Sequence, residues 1–363
     1  MIRTKEFRGM KCRQVGNSGL WVSEIGLGLW KYGYPEYDSS RVGEHKAFKI
    51  LDRALDLGVF FWDTANSYSG GAGNSERVLG RYFSSRPRRV RDQVVLATKV
   101  TNSVRDEHEL GPYPDKTGEN FTPNQSGASR LYLLGAVDDC LQRLQVDHID
   151  LLYLHNTTLF EDGEFECPLD ETWSTMDDLI TAGKVRYIGV SNHSADQLDQ
   201  TMKTLSRVGK DTSRRIIAVQ NCYNLVERSN VAAGGDGDDE EFLSFIKNAG
   251  PTLIPYFPLA AGLLTGRYSE GDVDESGRLA QEDAMGERFL TERNMAIVDG
   301  LSEIAEEKGC SMAQLAIAWL LSKEELSSVI AGVTKLEHLE DNAGAINVEL
   351  SNKDLERIDE LTK

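Results

Sequence analysis

Short apolar runs alternate along this chain with stretches whose apolar residues recur every three or four positions. These are the signatures of buried strands and of helices packed by one face. Residues 11–24 read as a hairpin, with Lys-Cys-Arg-Gln-Val and Leu-Trp-Val-Ser-Glu flanking the turn Gly16-Asn17-Ser18-Gly19. A strand over 25–30 follows, then a helix over 44–57 stopped by Gly58. The run Phe60-Phe61-Trp62-Asp63 is the next strand, and the alternation then repeats. Helix 75–83 leads to strand 94–100, helix 129–144 to strand 149–155, and helix 169–182 to strand 185–190. Helix 195–208 leads to strand 216–220, helix 240–248 to strand 252–256, and two helices, 292–308 and 312–321, to strand 329–331. Helices over 336–345 and 352–361 come last.

Strands alternating with helices make a parallel sheet. Eight such units in 363 residues predict a closed α/β structure, a (β/α)8 TIM barrel with an N-terminal β-hairpin and extra C-terminal helices, in one domain over 1–363. Three long polar connections, 101–128, 157–168 and 265–290, all follow strands and so rim one end of that barrel. The run Gly234-Gly235-Asp236-Gly237-Asp238-Asp239-Glu240 reads as a flexible acidic surface loop.

Composition narrows the function classes. A formal net charge of −18 argues against a nucleic-acid partner, because binding phosphates needs a basic face. No apolar run approaches the ~20 residues of a membrane span, and the charged first ten residues lack the apolar core of a signal peptide. The five cysteines are scattered without pairing motifs, which suits a reducing cytoplasm. The six histidines show no metal-ligand spacing, although His193 could approach His155 from the neighbouring strand, so no metal site is expected.

Candidate chemistry lies where strands end. Asp63 closes one apolar run and Tyr68 follows in its loop; Lys99 and His155 close two others. Taken singly, Asp63 reads as a cap, Lys99 as a surface lysine and His155 as a satisfied buried histidine. Together they place four titratable groups at one end of three strands. Gly26-Leu27-Gly28 fails the dinucleotide G-x-G-x-x-G pattern because its sixth position is Lys31, and no phosphate-binding P-loop occurs.

In order and local motif, Asp63, Tyr68, Lys99 and His155 resemble the catalytic residues of the aldo-keto reductase superfamily, and the resemblance runs from about Met10 onward. It implies interconversion of a carbonyl (aldehyde, ketone or sugar) and an alcohol by hydride transfer with NADP(H) or NAD(H). Tyr68 would be the general acid. Its phenol gives up a proton reluctantly at a pKa of ~10, and the Lys99 ammonium, held by Asp63, would make that easier. His155 would orient the substrate oxygen, and Trp30 would line the substrate pocket with Tyr68 and His155.

The resemblance also implies a cofactor site. Ser191, Asn192 and Gln220 suit the nicotinamide carboxamide, and Tyr256 would stack on its ring. Gly262, Leu264, Gly266 and Arg267 would face the pyrophosphate. Gly332, Thr334, Lys335, His338 and Asn342 surround a helix start suited to phosphate. NADP-preferring members commonly carry arginine where this chain has His338, and often where it has Thr334. Lys335 is then the fixed positive charge at hand, opposed by Glu337, Glu340 and Asp341. The expectation is NADP with NAD as a real alternative. Two other readings remain: a non-catalytic nicotinamide-nucleotide-binding regulatory subunit of the same fold, and a metal-dependent barrel hydrolase.

Overall fold

A computed structural model describes residues 4–36, 38–104, 122–156, 158–159, 163–207, 216–229, 239–269, 272–273 and 278–363. The N-terminal unit is a three-stranded antiparallel sheet, β1 (Thr4–Phe7), β2 (Met10–Gln14) and β3 (Trp21–Ser23), rather than a simple hairpin. The first strand leaves no mark in the hydrophobic pattern, because three of its four residues are exposed and it carries no apolar alternation.

The barrel strands are β4 (Ile25–Gly28), β5 (Phe61–Asp63), β6 (Val95–Val100), β7 (Ile149–Leu154), β8 (Val185–Ser191), β9 (Ile216–Gln220), β10 (Thr252–Leu253) and β13 (Val329–Gly332). They form one parallel sheet in the order β10-β9-β8-β7-β6-β5-β4-β13. The two edges meet through Leu253 N to Glu325 O (2.9 Å), Ser327 N to Leu253 O (3.3 Å) and Ile330 N to Pro255 O (3.0 Å), so the fold is a (β/α)8 barrel.

Its outer layer comprises α1 (Glu44–Asp56), α2 (Asn74–Ser84), α3 (Arg88–Arg91), α4 (Arg130–Leu144), α5 (Leu169–Thr181), α6 (Ala195–Arg207) and α7 (Asp239–Ala249). After β10 come the short strands β11 (Tyr268–Ser269) and β12 (Asp272–Val273), then α8 (Arg278–Gln281), α9 (Asp283–Phe289), α10 (Glu292–Lys308) and α11 (Met312–Leu321). Beyond β13 lie α12 (Leu336–Gly344) and α13 (Asn352–Thr362). Ser311 and Gln314 close a reciprocal capping box on α11, and Ser351 and Asp354 do so on α13.

Two expectations about loops change. The segment 265–290 is not plain loop, because it holds β11, β12, α8 and α9. Asp239 is no loop tip: it opens α7, is buried, and accepts from Tyr223 Oη at 2.7 Å while pairing with Arg228 at 2.9 Å. Residues 234–238 lie outside the described residues, as do 105–121 of the first long connection and 157 and 160–162 of the second.

The core has two parts. The larger fills the space between strands and helices; the smaller occupies the barrel interior, where Phe61, Ala97, Leu151, Tyr153, Ala218, Ile254 and Ile330 meet Val15 and Val22 of the N-terminal sheet. The N-terminal sheet therefore plugs one end of the barrel and leaves the other for chemistry.

Candidate active site

Strand geometry alone carries the polar residues to that open end. Side chains alternate across a strand, so the residue two places beyond an interior residue also faces inward. Phe61 leads to Asp63, Ala97 to Lys99, Tyr153 to His155, Ala218 to Gln220 and Ile254 to Tyr256. Gly28 pairs with Asp63, Asp63 with Ala97, and Lys99 with Tyr153, which sets the strand ends at related heights.

Lys99 and Asp63 are buried and form an ion pair at 2.5 Å. Lys99 Nζ donates to the Thr64 carbonyl at 2.9 Å and sits 2.9 Å from Tyr68 Oη. Burial draws the Lys99 ammonium below its ordinary 10.5, and the Asp63 carboxylate opposes that fall. Gln220 Nε2 holds the other Asp63 oxygen at 2.9 Å. The Tyr68 ring packs edge-on against His155 at 5.7 Å between centroids and lies 6.3 Å from Trp30. Just past Tyr68, Gly70, Gly71 and Gly73 take positive φ in a tight turn that a side chain would strain. Ser69 Oγ ties that turn to the carbonyls of Trp30, at 3.1 Å, and Tyr32.

His155 is half-buried, and burial together with the Lys99 charge holds its imidazole well below 6.5, hence neutral. Its Nδ1 lies 3.1 Å from Asn102 Nδ2. Asn156, Asn192 and Tyr256 complete a run of side chains beside it: Tyr256 Oη donates to Asn192 Oδ1 at 2.7 Å, and Asn192 Nδ2 donates to the His155 carbonyl at 2.9 Å.

Asp63, Tyr68, Asn102, His155, Asn156, Asn192, Gln220 and Tyr256 border a cavity of about 600 Å³. One end is walled by Trp30, Tyr68, His155 and Phe257, and Lys31 and Arg41, bridged by Glu282 at 3.1 and 3.6 Å, also border the cavity. The other end runs past Tyr256, Gly262 and Gly332 to Arg267, Thr334, His338 and Asn342. Arg267 Nη2 lies 2.6 Å from His338 Nε2. Burial, then the charges of Arg267 and Lys335, push His338 below its ordinary 6.5.

The model of the aldo/keto reductase family matches residues 24–363. The chain belongs to that family. It is 31% identical to L-glyceraldehyde 3-phosphate reductase of Escherichia coli (strain K12), over 99% of this chain and 94% of that protein. It is 29% identical to versiconal hemiacetal acetate reductase of Aspergillus parasiticus, over 97% and 96%. It is also 32% identical to a probable voltage-gated potassium channel subunit beta of Oryza sativa subsp. japonica, over 93% and 92%.

Trp30, Asp63, Tyr68, His155, Ser191, Asn192, Gln220, Tyr256, Gly262, Arg267, Gly332, Thr334, His338 and Asn342 all border this cavity. Lys99 stands behind Tyr68 rather than on the wall. Leu264, Gly266 and Lys335 do not border it. Leu264 is fully buried and its amide bonds to the Leu259 carbonyl at 3.2 Å, while Lys335 is exposed ahead of α12. The Gly262 amide is likewise engaged by Leu259, at 2.8 Å.

The expected charge balance near α12 also shifts. Arg267, reserved for pyrophosphate, sits against His338; Glu340 pairs with Arg53 at 2.7 Å; Asp341 accepts from Ser311 at 2.8 Å. His193 is turned to the Ser191 carbonyl at 2.8 Å. Among the described residues no three metal-binding side chains gather. Asn102, Lys31, Arg41 and Phe257 border the cavity without having been singled out. Asn102 lies only three residues past Lys99, and that position was the signal available for it.

Proposed function

We propose that this aldo/keto reductase family chain is an NAD(P)H-dependent carbonyl reductase in which Tyr68 is the general acid. The observation that carries the reading is the 2.9 Å contact between Lys99 Nζ and Tyr68 Oη, made by an ammonium that Asp63 and the Thr64 carbonyl hold in a dry site. A positive charge there favours phenolate and eases release of the phenolic proton to a developing alkoxide. His155, kept neutral, offers the substrate oxygen a hydrogen bond rather than a competing positive charge. In the alcohol-to-carbonyl direction the same Tyr68 oxygen accepts the proton.

The residues fit a nicotinamide nucleotide. Asn342 Nδ2 is buried with no hydrogen-bond partner and borders the cavity, a donor suited to an acceptor-rich ligand. Tyr256 borders the cavity and would pack against the ring, with Ser191, Asn192 and Gln220 around its carboxamide. The first turn of α12 has no side-chain cap, which leaves its amides for phosphate. Bound there, the reduced nicotinamide supplies the hydride.

NADP(H) is the favoured form, because the Arg267 guanidinium beside His338 can hold a 2′-phosphate bidentately; NAD(H) use accompanies it. Five unpaired thiols favour a cytoplasmic setting. Carbonyls bearing an anion belong in any substrate panel, because Lys31 and Arg41 border the substrate end.

The test is Tyr68→Phe, which keeps the ring and removes the hydroxyl. Turnover of NADPH with a reactive aldehyde should drop at least ~10²-fold, with nucleotide affinity little changed. Turnover within a few-fold of the parent removes Tyr68 from the mechanism. The relative named as a channel subunit supports a second reading, a nucleotide-binding regulatory subunit, which tight nucleotide binding without turnover on any carbonyl or alcohol would favour.

A further inference from the structure

The side chains around His155 form a chain of hydrogen bonds with one direction. The Asn192 amide is anchored, because its Nδ2 donates to the His155 carbonyl at 2.9 Å and a carbonyl can only accept. The same nitrogen lies 3.1 Å from Asn156 Oδ1, so Asn156 must present its oxygen there and its nitrogen at the other end. That nitrogen donates to Asn102 Oδ1 at 2.9 Å. Asn102 is thereby turned so that its Nδ2 faces His155 Nδ1 at 3.1 Å. An amide nitrogen only donates, so Nδ1 must accept through its lone pair. In a neutral imidazole the proton then resides on Nε2.

The backbone around Asn102 is built to hold it. Thr101 has φ 126°, a conformation a β-branched residue adopts only when its surroundings impose it. Gly127 N donates to the Thr101 carbonyl at 2.7 Å, and Asn66 Nδ2 to the Asn102 carbonyl at 3.0 Å, where Tyr132 Oη also donates. At the far end of the chain, Tyr256 Oη donates to Asn192 Oδ1.

We propose that Asn102 is a positioning residue. It fixes His155 in the Nε2–H tautomer as the last link of a directed relay, Tyr256–Asn192–Asn156–Asn102, that starts at the side chain against which the nicotinamide ring would pack. The proposal rests on the reductase reading for its purpose, since an Nε2–H is what donates to a carbonyl oxygen. The arrangement itself does not depend on that reading. An imidazolium would set two donors against each other at Nδ1, so the relay also disfavours protonation.

The experiment is nitrogen-15 NMR of the full chain labelled at its histidine rings, with the His155 signals identified by their loss in His155→Gln. The parent should show a protonated Nε2 and a bare Nδ1. Asn102→Asp is nearly isosteric and still accepts from Asn156, but it offers Nδ1 an acceptor. It should move the proton to Nδ1 and lower kcat on the order of 10²-fold, with nucleotide affinity within a few-fold. A parent His155 carrying its proton on Nδ1 overturns the proposal even if the variant fails to fold. So does an unchanged tautomer in a folded Asn102→Asp. A protein with the expected tautomer but no turnover on any carbonyl instead sinks the reductase reading and leaves the relay standing.

Discussion

Two buried ion pairs lie on opposite faces of β6, and they differ in where their hydrogen bonds end. On the outer face, Glu76 accepts from Thr98 Oγ1 at 2.5 Å and from Arg143 Nε at 2.7 Å, joining β6 to α2 and α4. On the inner face, one residue further on, Lys99 meets Asp63 at 2.5 Å and the Thr64 carbonyl at 2.9 Å, then reaches Tyr68 Oη. Both pairs are sealed from water: the Glu76 side chain is 0% exposed and that of Lys99 1%. Burial of a charge pair therefore does not mark function. The mark is the Lys99 contact to a hydroxyl that borders a cavity.

Substitution at either pair tests this difference. The largest effect is expected from Lys99→Met, which should cost ~10²- to 10⁴-fold in turnover while nucleotide still binds. The Tyr68 phenol, without its cation, should ionise at higher pH, so the rising limb of the alcohol-oxidation profile, where Tyr68 becomes able to accept a proton, moves to higher pH. Full activity with an unmoved limb would make this pair as structural as its neighbour. Glu76→Leu should do the reverse. It leaves Arg143 buried without its carboxylate, at about 3–5 kcal/mol of stability, read as a drop in denaturant midpoint. Turnover per folded molecule should stay near that of the parent.

A third buried group carries no partner charge and sharpens the contrast. His193 is held down to about 4 from 6.5 by burial, with its bond to the Ser191 carbonyl opposing. The unfolded chain then binds the proton first. Stability from this group is complete above pH 6.5 and is lost as pH falls toward 4, by roughly 3 kcal/mol. His193→Asn keeps a donor for the carbonyl and removes the titration. Its denaturation midpoint should fall less between pH 6.5 and 4 than the parent's, and parallel curves would refute the assignment. The smallest effect is expected at the far end of the cavity. Arg267→Ala should weaken NADPH about tenfold more than NADH, one charge-assisted bond's worth. Because His338 is held neutral, the NADPH-to-NADH affinity ratio should stay flat from pH 7 to 8. Equal losses for both nucleotides would show that Arg267 does not read the 2′-phosphate.

The alternation of elements and the polar residues at strand ends were legible in the sequence because both follow from periodicity. An apolar run that stops at Asp63 or Lys99 shows its inner face and its open end at once. Asn102 lay beyond that rule, in a polar connection with no period. The Arg267–His338 contact joins residues 71 apart and exists only once the barrel has closed. Strand β1 was hidden by its charges, and α3 by being one turn of Arg-Arg-Val-Arg.

That closure has a consequence for how the molecule is made. β4 is hydrogen-bonded on one side to β5 and on the other to β13, with Ile25 beside Val329 and Gly28 beside Gly332. Ser328 Oγ reaches the Glu24 carbonyl across 304 residues of sequence. A growing chain emerges with β4 early and carries one of its edges unsatisfied until the last strand arrives, a long-range closure of the kind that slows folding. Trp30, at one end of the cavity, follows β4, while Thr334, His338 and Asn342, at the other, follow β13. The cavity is thus assembled in the final step. A chain stopped short of residue 329 would expose a β4 edge open to pairing with other chains and would lack one wall of the cavity.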